Sequence, residues 1–446
     1  MEYKTKEAIL ARGREAIGVS IGDMDKTYRL QTGKGAVGNV VQEAWFGCKV
    51  NNESKPDFEE AGVELKVTPY IKTTKGIRAK ERLVANIINY MEEYKKTFKT
   101  SSFWKKCNTI LLMSYEHKPD VDKSDFTIDE AVLFNFSEED LLIIEQDWIT
   151  IVNKIRNGQA HELSEGDTLY LGACTKGATS ASVRQQPFSS IPAKQRAFSL
   201  KQSYMTYVLN TFIFGENVYE HIIKNPELLR EKRFEDYVID TLSFYLGRTQ
   251  LSLLKEFSLE ASNKTKNVNE IILARMLGIK GRITATDEFQ KANIIPKTIR
   301  IQKNGLIKES MSFPNFKFVE IIQETWEEST LKNYIEPTKF LFVIFKECED
   351  GEYVFERIKF WNIPSEDLEE VRKVWERTVQ IIKEGVILTK VGNVTKNNLP
   401  KSTENRVSHV RPHGRDSSDT YLLPDGRKMT KQCFWFNRKY IESIIL

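Results

Sequence analysis

The sequence predicts a mixed α/β fold, because segments with strand periodicity alternate with helical segments along its 446 residues. Residues 63–67 alternate apolar and charged side chains, which is the pattern of a strand with one buried face. Residues 138–157 space their apolar side chains three and four apart, as in an amphipathic helix. Those side chains are Leu141, Ile144, Trp148, Ile151 and Ile155.

The first elements are predicted to be helices. Residues 4 to about 30 have a helical pattern, and a glycine-rich stretch, 33–38, then leads into a second amphipathic helix that Gly47 ends. Its apolar stripe is Val37, Val40, Val41, Ala44 and Trp45. The three glycines match a dinucleotide-binding fingerprint only formally, because residues 25–32 are too polar for the buried strand that must precede it. Glu43 lies at the border of the stripe, where a carboxylate is either a solvated edge or an inward-facing ligand.

Three later segments complete the predicted fold of the first half. A short basic stretch, 103–109, leads into a buried strand over 110–115. Residues 167–174 are predicted to form another strand. Residues 196–209 are predicted to run from a strand into a helix.

Composition excludes several classes of protein. The five cysteines are widely spaced and the chain has no Cys-x-x-Cys or His-Glu-x-x-His, which argues against structural zinc and a disulfide framework and favours a reducing cytoplasm. No segment has the apolar length of a signal peptide core or a membrane span. The net charge of +4 (66 basic minus 62 acidic residues) means that any basic surface must be local.

A candidate metal site lies around the strand 63–67. Glu64 and Lys66 share one face of this strand, and Asp57 precedes it after the break at Lys55-Pro56. Magnesium prefers one or two carboxylates with water and phosphate oxygens, and a neighbouring lysine can orient the attacking water. The same pattern also occurs by chance, since Glu-Lys alternation on a strand is commonly a solvated face.

The second half repeats patterns of the first, so we expect two domains, 1–214 and 215–446. Residues 267–278, 297–301 and 433–440 resemble 38–47, 63–67 and 197–204, respectively. Matching these segments places Ala274 at the position of Glu43, Thr298 at that of Glu64 and Arg300 at that of Lys66. With no acidic residue expected at the position of Asp57, the second copy is predicted to be catalytically silent.

The motifs of residues 30–210 together resemble the MutH family of mismatch-repair nicking endonucleases and related restriction endonucleases that cut at GATC. They are Lys34-Gly-x-x-Gly, Glu43, Asp57-Phe, Gly62-Val-Glu-Leu-Lys66 and the Lys106 lead-in to a strand. The resemblance implies a restriction-endonuclease-like fold and Mg²⁺-dependent phosphodiester hydrolysis. It implies that Asp57 and Glu64 bind the metal, that Lys66 is the catalytic lysine, and that Glu43 and Lys106 are further active-site residues. Lys34 is expected to contact DNA.

The sequence departs from the family pattern in two places. Counting forward from Lys34 puts the helical carboxylate on Gln42, whereas counting back from Gly47 puts it on Glu43, so the helix carries one extra residue and Glu43 is our choice. The Arg-Pro loop that reads DNA in the family is absent near residue 171, where Lys176 is the nearest basic group. The second copy retains such a loop, which predicts DNA contacts from Arg411, His413 and the nearby Arg415. Its Phe434-Trp-Phe436 segment is expected to be sheet core rather than a base-stacking platform.

The two-copy length favours a type II restriction endonuclease whose second domain binds another DNA site as an effector. A strand-nicking repair enzyme recruited by partner proteins and a non-catalytic DNA-binding regulator are the alternatives. The expected partners are double-stranded DNA with GATC sites and a cognate methyltransferase that does not bind the enzyme. One active site per chain also implies a dimer, a looped two-site complex or two sequential nicks.

Overall fold

The chain forms two compact units. The computed structural model describes residues 3–33, 35–50, 55–73, 76–177, 181–215, 219–260, 267–307, 310–392 and 394–445. The first unit comprises Met1–Tyr237 and Thr284–Asn293, and the second comprises Val238–Ile283 and Ile294–Leu446. The division thus falls after Tyr237 rather than at residue 215, and a short later segment packs within the first unit.

Helices are distributed along both halves. They are α1 (Lys6–Glu15), α2 (Ile21–Met24), α3 (Ala36–Asn39), α4 (Tyr90–Glu93), α5 (Ser102–Cys107), α6 (Glu138–Arg156), α7 (Gln202–Val208), α8 (Leu228–Glu231), α9 (Phe234–Ser243), α10 (Gln250–Glu256), α11 (Val268–Met276), α12 (Asp287–Ala292), α13 (Phe318–Ile321), α14 (Thr330–Ile335), α15 (Ser365–Glu384) and α16 (Arg438–Ile445). Within the described ranges, none of them is long and apolar enough to cross a membrane.

The strands confirm a mixed α/β architecture. In the first half they are β1 (Glu64–Thr73), β2 (Gly76–Ala79), β3 (Leu83–Ile87), β4 (Ile110–Glu116), β5 (Glu130–Phe134), β6 (Leu171–Thr175), β7 (Val183–Gln186), β8 (Ser189–Lys194) and β9 (Arg196–Leu200). In the second half they are β10 (Ile294–Ile301), β11 (Met311–Phe316), β12 (Lys339–Glu347), β13 (Tyr353–Trp361), β14 (Leu388–Val391), β15 (Val394–Asn397), β16 (Ser408–Pro412), β17 (Thr420–Leu422), β18 (Lys428–Thr430) and β19 (Gln432–Phe436).

Most predicted elements of the first half are confirmed. The strand at 110–115 is β4, and the helix at 138–157 is α6. Ser137 begins α6 by accepting a hydrogen bond from Asp140 N at 3.1 Å, as helix N-caps do. The single helix expected over 4–30 is wrong: α1 ends at Glu15, because Gly18 takes a φ of +81° and the next residues bridge to 127–128.

The sheet of the first unit positions the candidate site. Its strand order is β2-β1-β4-β5, with β1 parallel to β4 and the outer strands antiparallel to their neighbours. Glu64 pairs with Ile110 and Lys66 with Leu112 across the parallel ladder. A second sheet, β3-β9-β6, is antiparallel and carries the β7–β8 hairpin between two of its strands. The parallel ladder with β4 therefore fixes the backbone at Glu64 and Lys66.

The second unit has a similar strand order. β10 is parallel to β12, which pairs antiparallel with β13, as β1, β4 and β5 do in the first unit. An antiparallel sheet, β11-β19-β16, accompanies it. The buried core of this unit includes Phe434 and Phe436 of β19, so this part of the expectation for 434–436 is confirmed.

Candidate active site

The two predicted metal-binding carboxylates are joined through backbone hydrogen bonds at the start of β1. The backbone N–H of Asp57 donates to Oε2 of Glu64 at 3.2 Å, and the backbone N–H of Leu65 donates to Oδ2 of Asp57 at 3.1 Å. The tight turn that makes these contacts possible ends at Gly62, whose φ is +64° and whose N–H donates to Glu59 O. The geometry therefore brings together two side chains seven positions apart.

Two lysines converge on the same carboxylate. Nζ of Lys66 lies 2.7 Å from Oε1 of Glu64, and Nζ of Lys106 lies 3.5 Å from the same oxygen. Lys106 reaches the site from α5 and also donates to Lys55 O at 3.3 Å. The structure thus groups four predicted residues: Asp57, Glu64, Lys66 and Lys106.

Burial dominates the electrostatics of Glu64, whose side chain is 1% exposed. Desolvation raises the pKa of Glu64 to about 7, and the neighbouring Asp57 adds to this, while Lys66 and Lys106 oppose it. Burial alone would lower the pKa of Lys66, but Glu64, Cys107 and Asp57 together outweigh it and raise that pKa. Glu64 is therefore poised to exchange a proton near neutral pH while Lys66 stays charged.

Gln42 completes the site in place of Glu43. Nε2 of Gln42 donates to Oδ1 of Asp57 at 2.9 Å, whereas Oε1 of Glu43 accepts from Val50 N at 3.0 Å. The choice of Glu43 as the helical residue beside the carboxylates is corrected accordingly. Counting forward from Lys34 was the signal that pointed to Gln42.

Gln42 rather than Glu43 faces Asp57 because the helix contains a wide turn. After α3, residues Val40–Trp45 form a π-helix, which takes up one residue more than an α-turn and rotates the side chains that follow. Val37, Val40 and Val41 are buried as predicted, but Ala44 is exposed. Trp45 instead packs against Arg12, whose guanidinium lies 3.8 Å from the ring centroid.

The donor set fits a hard divalent cation. Within the described ranges, no three or more His, Cys, Asp and Glu side chains form a group that could hold a metal ion. The carboxylates that could bind a cation at this site are therefore those of Asp57 and Glu64. Two carboxylates with room for water and phosphate oxygens are what Mg²⁺ prefers. The raised pKa of Glu64 indicates that this buried carboxylate lacks sufficient positive charge around it, which a cation would supply.

Of the predicted DNA contacts of the first half, the structure describes Lys176 but not Lys34. Lys34 lies outside the described residues. Lys176 follows β6, and its backbone N–H donates to Gln195 O at 2.8 Å. Whether its side chain contacts DNA remains a prediction.

Two of the three predicted DNA-contact residues of the second unit, Arg411 and His413, lie against Trp435. The guanidinium of Arg411 lies 4.7 Å from the Trp435 ring centroid, and the His413 ring meets that ring edge-on at 5.3 Å. His409 stacks on the other side at 6.5 Å. Arg415 stands apart with its side chain 89% exposed. Trp435 is therefore in contact with the basic residues, unlike its core neighbours Phe434 and Phe436.

A cleft of about 1110 Å³ opens at this cluster. Its lining includes Ser310, Ser312, Asn405, Arg406, His409, Arg411, Trp435, Arg438 and Lys439. Nδ1 of His409 lies 2.5 Å from Oδ1 of Asn437, and burial lowers the pKa of His409, so this ring is neutral at pH 7. Positive charge in the cleft comes from its arginines and Lys439.

On β10, Lys297 stands at the register position that Lys66 has on β1. Asn293 (φ +51°) precedes β10 as Gly62 precedes β1, and each donates its N–H to the carbonyl three residues earlier. Lys297 is the fourth residue after Asn293, as Lys66 is after Gly62. This register replaces the predicted match of Lys66 with Arg300.

The same register corrects two further matches. Ile295, rather than Thr298, takes the place of Glu64, and it pairs with Phe340 of β12 as Glu64 pairs with Ile110 of β4. An acidic residue, Glu288, does occupy the position of Asp57. The error arose because 297–301 alternates polar and apolar side chains much as 63–67 does.

Comparison with known proteins agrees with this arrangement. The family model described as the DNA mismatch repair enzyme MutH matches residues 46–147, which contain the four grouped residues. The mismatch repair protein MutH of Shewanella woodyi is 28% identical over 46% of this chain and 92% of its own length. MutH of Vibrio vulnificus is 24% identical over 46% of this chain and 93% of its own.

A longer relative aligns along both halves. The type II restriction enzyme Sau3AI of Staphylococcus aureus is 40% identical over 99% of this chain and 98% of its own length. The similarity thus includes the candidate site on β1 as well as the cleft of the second unit. This chain belongs to the family of MutH-like type II restriction endonucleases.

Proposed function

We propose that this restriction endonuclease hydrolyses both strands of DNA at GATC with Mg²⁺ and the site on β1. The observation that carries the proposal is the convergence of Asp57, Glu64, Lys66 and Lys106 within hydrogen-bond and ion-pair distances. The choice of GATC rests on the resemblance to the MutH family. Among the described residues this is the cluster with the carboxylate-lysine composition that metal-assisted phosphodiester hydrolysis needs.

Each residue has a distinct task in the proposed mechanism. Asp57 and Glu64 would hold Mg²⁺, which when bound supplies a Lewis acid and lowers the pKa of water. Lys66, as an ammonium group, positions the attacking water by hydrogen bonding. Lys106, buried beside Glu64, stabilises negative charge that develops on the scissile phosphate. Gln42 fixes the orientation of the Asp57 carboxylate.

We further propose that the second half, from residue 215, is a duplicated and catalytically silent copy of the first. The parallel strand pairs β1·β4 and β10·β12 support this, as does a matching polar contact. Tyr204 O–H donates to Asp140 at 2.8 Å, and Tyr440 O–H donates to Asp367 at 2.7 Å. In both cases the tyrosine is the third residue of the last helix (α7 or α16), and the aspartate is the third of the longest (α6 or α15).

The silent copy would bind a second DNA site as an effector. Arg411 is held on Trp435 at the mouth of a cleft that suits a nucleic acid, and arginine makes the commonest specific contact to guanine. His413 and the exposed Arg415 would contact the backbone nearby. The proposed setting is the bacterial cytoplasm, with a cognate methyltransferase protecting host DNA. Cutting both strands would require two chains on the DNA or two sequential nicks.

Plasmid cleavage tests the proposal. Purified protein is incubated with Mg²⁺ and plasmids carrying one or two GATC sites, and the ends are mapped. Double-strand breaks at GATC, faster on the two-site plasmid, are expected. A short GATC duplex should speed cutting of the one-site plasmid. Open circles would indicate a nicking enzyme of the repair type, and intact plasmid would indicate a DNA-binding regulator.

A further inference from the structure

The position of Lys66 has a counterpart in the second unit, Lys297. Lys297 lies on β10, and among the described residues no Asp or Glu forms an ion pair with it. Burial alone accounts for its lowered pKa. Lys66, in contrast, has Glu64 at 2.7 Å. A partly buried ammonium without an anion is costly, so the position calls for an anionic ligand.

The carboxylates of the nuclease site are lost or redirected in this copy. Ile295 stands where Glu64 would be. Glu288, at the position of Asp57, belongs to the first unit, where its carboxylate accepts hydrogen bonds from Ile222 N at 3.0 Å and Ile223 N at 2.8 Å. In this register Ile295 has no oxygen ligand for a metal, and the Glu288 carboxylate is engaged by two backbone N–H groups of its own unit.

Lys297 lines a cavity of about 340 Å³. Hydroxyl and guanidinium groups share its wall: Thr298, Arg300, Ser310 and Ser312. Among the described residues, the wall has the Glu347 carboxylate and the two cationic side chains of Lys297 and Arg300. Ser310 and Ser312 also line the larger cleft with Arg411 and Trp435, so the two spaces adjoin within the second unit.

We propose that this cavity is a metal-independent binding site for one backbone phosphate of DNA, with Lys297 as its central donor. The inference rests on the proposed binding of DNA by the second unit and names the phosphate contact. The site would occupy the place where the first unit holds a metal and the scissile phosphate. The Lys297 ammonium, which has no ion-paired carboxylate among the described residues, and the hydroxyl groups beside it favour an anion over a cation.

Acetylation of lysines in the full-length protein gives a local test. The protein is treated with an N-hydroxysuccinimide acetate in EDTA, with inorganic phosphate, a GATC duplex or a scrambled duplex, and each lysine is quantified by mass spectrometry. The GATC duplex should slow acetylation of Lys297 several-fold without Mg²⁺, and phosphate should slow it partially. Acetylation of Lys346 should be unaffected. This lysine lies on the neighbouring strand β12 and pairs with Glu356 of β13.

Lys439 reports separately on the cleft. Protection of Lys439 without protection of Lys297 would overturn the phosphate site and leave DNA binding by the second unit intact. Protection of neither lysine would overturn both the phosphate site and the proposed binding of DNA by the second unit. Protection of Lys297 by free phosphate but not by the duplex would overturn the assignment to DNA.

Substitution provides a second measure. Lys297→Met should lower the effector stimulation by the short GATC duplex and reduce the salt slope of that stimulation by about 1, as loss of one phosphate contact does. Lys297→Arg should retain most of it, and Lys346→Met is the matched control. An unchanged salt slope in Lys297→Met would contradict the proposal.

Discussion

The side-chain amide of Gln42 lies 2.9 Å from Oδ1 of Asp57 and holds this carboxylate from the side opposite to its backbone contact with Leu65. A hydrogen bond to a charged group is worth roughly 1.5–3 kcal/mol. Gln42→Ala should therefore lower cleavage by about tenfold or more and raise the Mg²⁺ concentration needed for half-maximal rate. The rate is measured across a Mg²⁺ titration.

Glu43→Ala is the matched control for this prediction, because Glu43 contacts Val50 N instead of Asp57. It should cut at close to the parental rate. Loss of activity in Glu43→Ala with normal activity in Gln42→Ala would restore the original choice from the sequence.

The helix at 36–45 shows where sequence patterns reach their limit. The first part of its apolar stripe (Val37, Val40 and Val41), its glycine stop and the strand that follows were predictable from the sequence pattern. The π-turn at Val40–Trp45 was not, because it changes the rotation per residue without changing the residue types. Gln42 could be recognised only by counting forward from Lys34, and the coordinates were needed to decide.

The pKa of Glu64 predicts a pH-dependent metal requirement. Burial raises this pKa to about 7, and a carboxyl group must lose its proton to bind a cation. Metal affinity should thus level off above pH 7 and fall about tenfold per pH unit below it. Calorimetric titration with Mn²⁺ at pH 8, 7 and 6 in the absence of DNA measures this. An affinity that is constant over that range would contradict it.

Arg411 is predicted to be the main base contact of the second unit. Arg411→Ala should weaken binding of the effector duplex by about 1–3 kcal/mol, because it removes a bidentate contact to guanine. The measurement is stimulation of one-site cleavage against duplex concentration, for GATC and scrambled sequences. Arg372→Ala, which removes an arginine paired with Glu376 on α15, should bind like the parent. Equal losses in the two variants would rule out a specific contact.

Lys291 is predicted to be a structural lysine of the first unit. Its ammonium lies 2.6 Å from both Asp140 and Asp287 and is buried. Lys291→Met leaves two buried carboxylates unpaired, which should cost about 3–5 kcal/mol of unfolding free energy. Lys72→Met breaks only the exposed pair with Glu116 and should cost under about 1 kcal/mol. Urea titrations compare them, and similar losses would show that burial of this triad does not matter.

The first half was more predictable than the second. The grouping of Asp57, Glu64, Lys66 and Lys106 could be predicted because the proposed chemistry restricts the residue types at those places, and the resemblance supplied their expected roles. In the second half that restriction is gone, so Lys297 was missed and Arg300 was matched in its place. The register became visible only through Asn293, whose left-handed conformation repeats that of Gly62.

Cleavage and binding by Glu64→Ala, measured together, test the catalytic site most directly. Parental protein and variant are incubated with Mg²⁺ and a two-site GATC plasmid, and binding of a GATC duplex is titrated at the same salt concentration without metal. The variant should leave the plasmid intact while binding the duplex at least as tightly, because one negative charge facing the phosphates is removed. Glu116→Ala, at the far end of β4 from the site, should cut like the parent. Cleavage by Glu64→Ala at near the parental rate would show that the catalytic centre lies elsewhere.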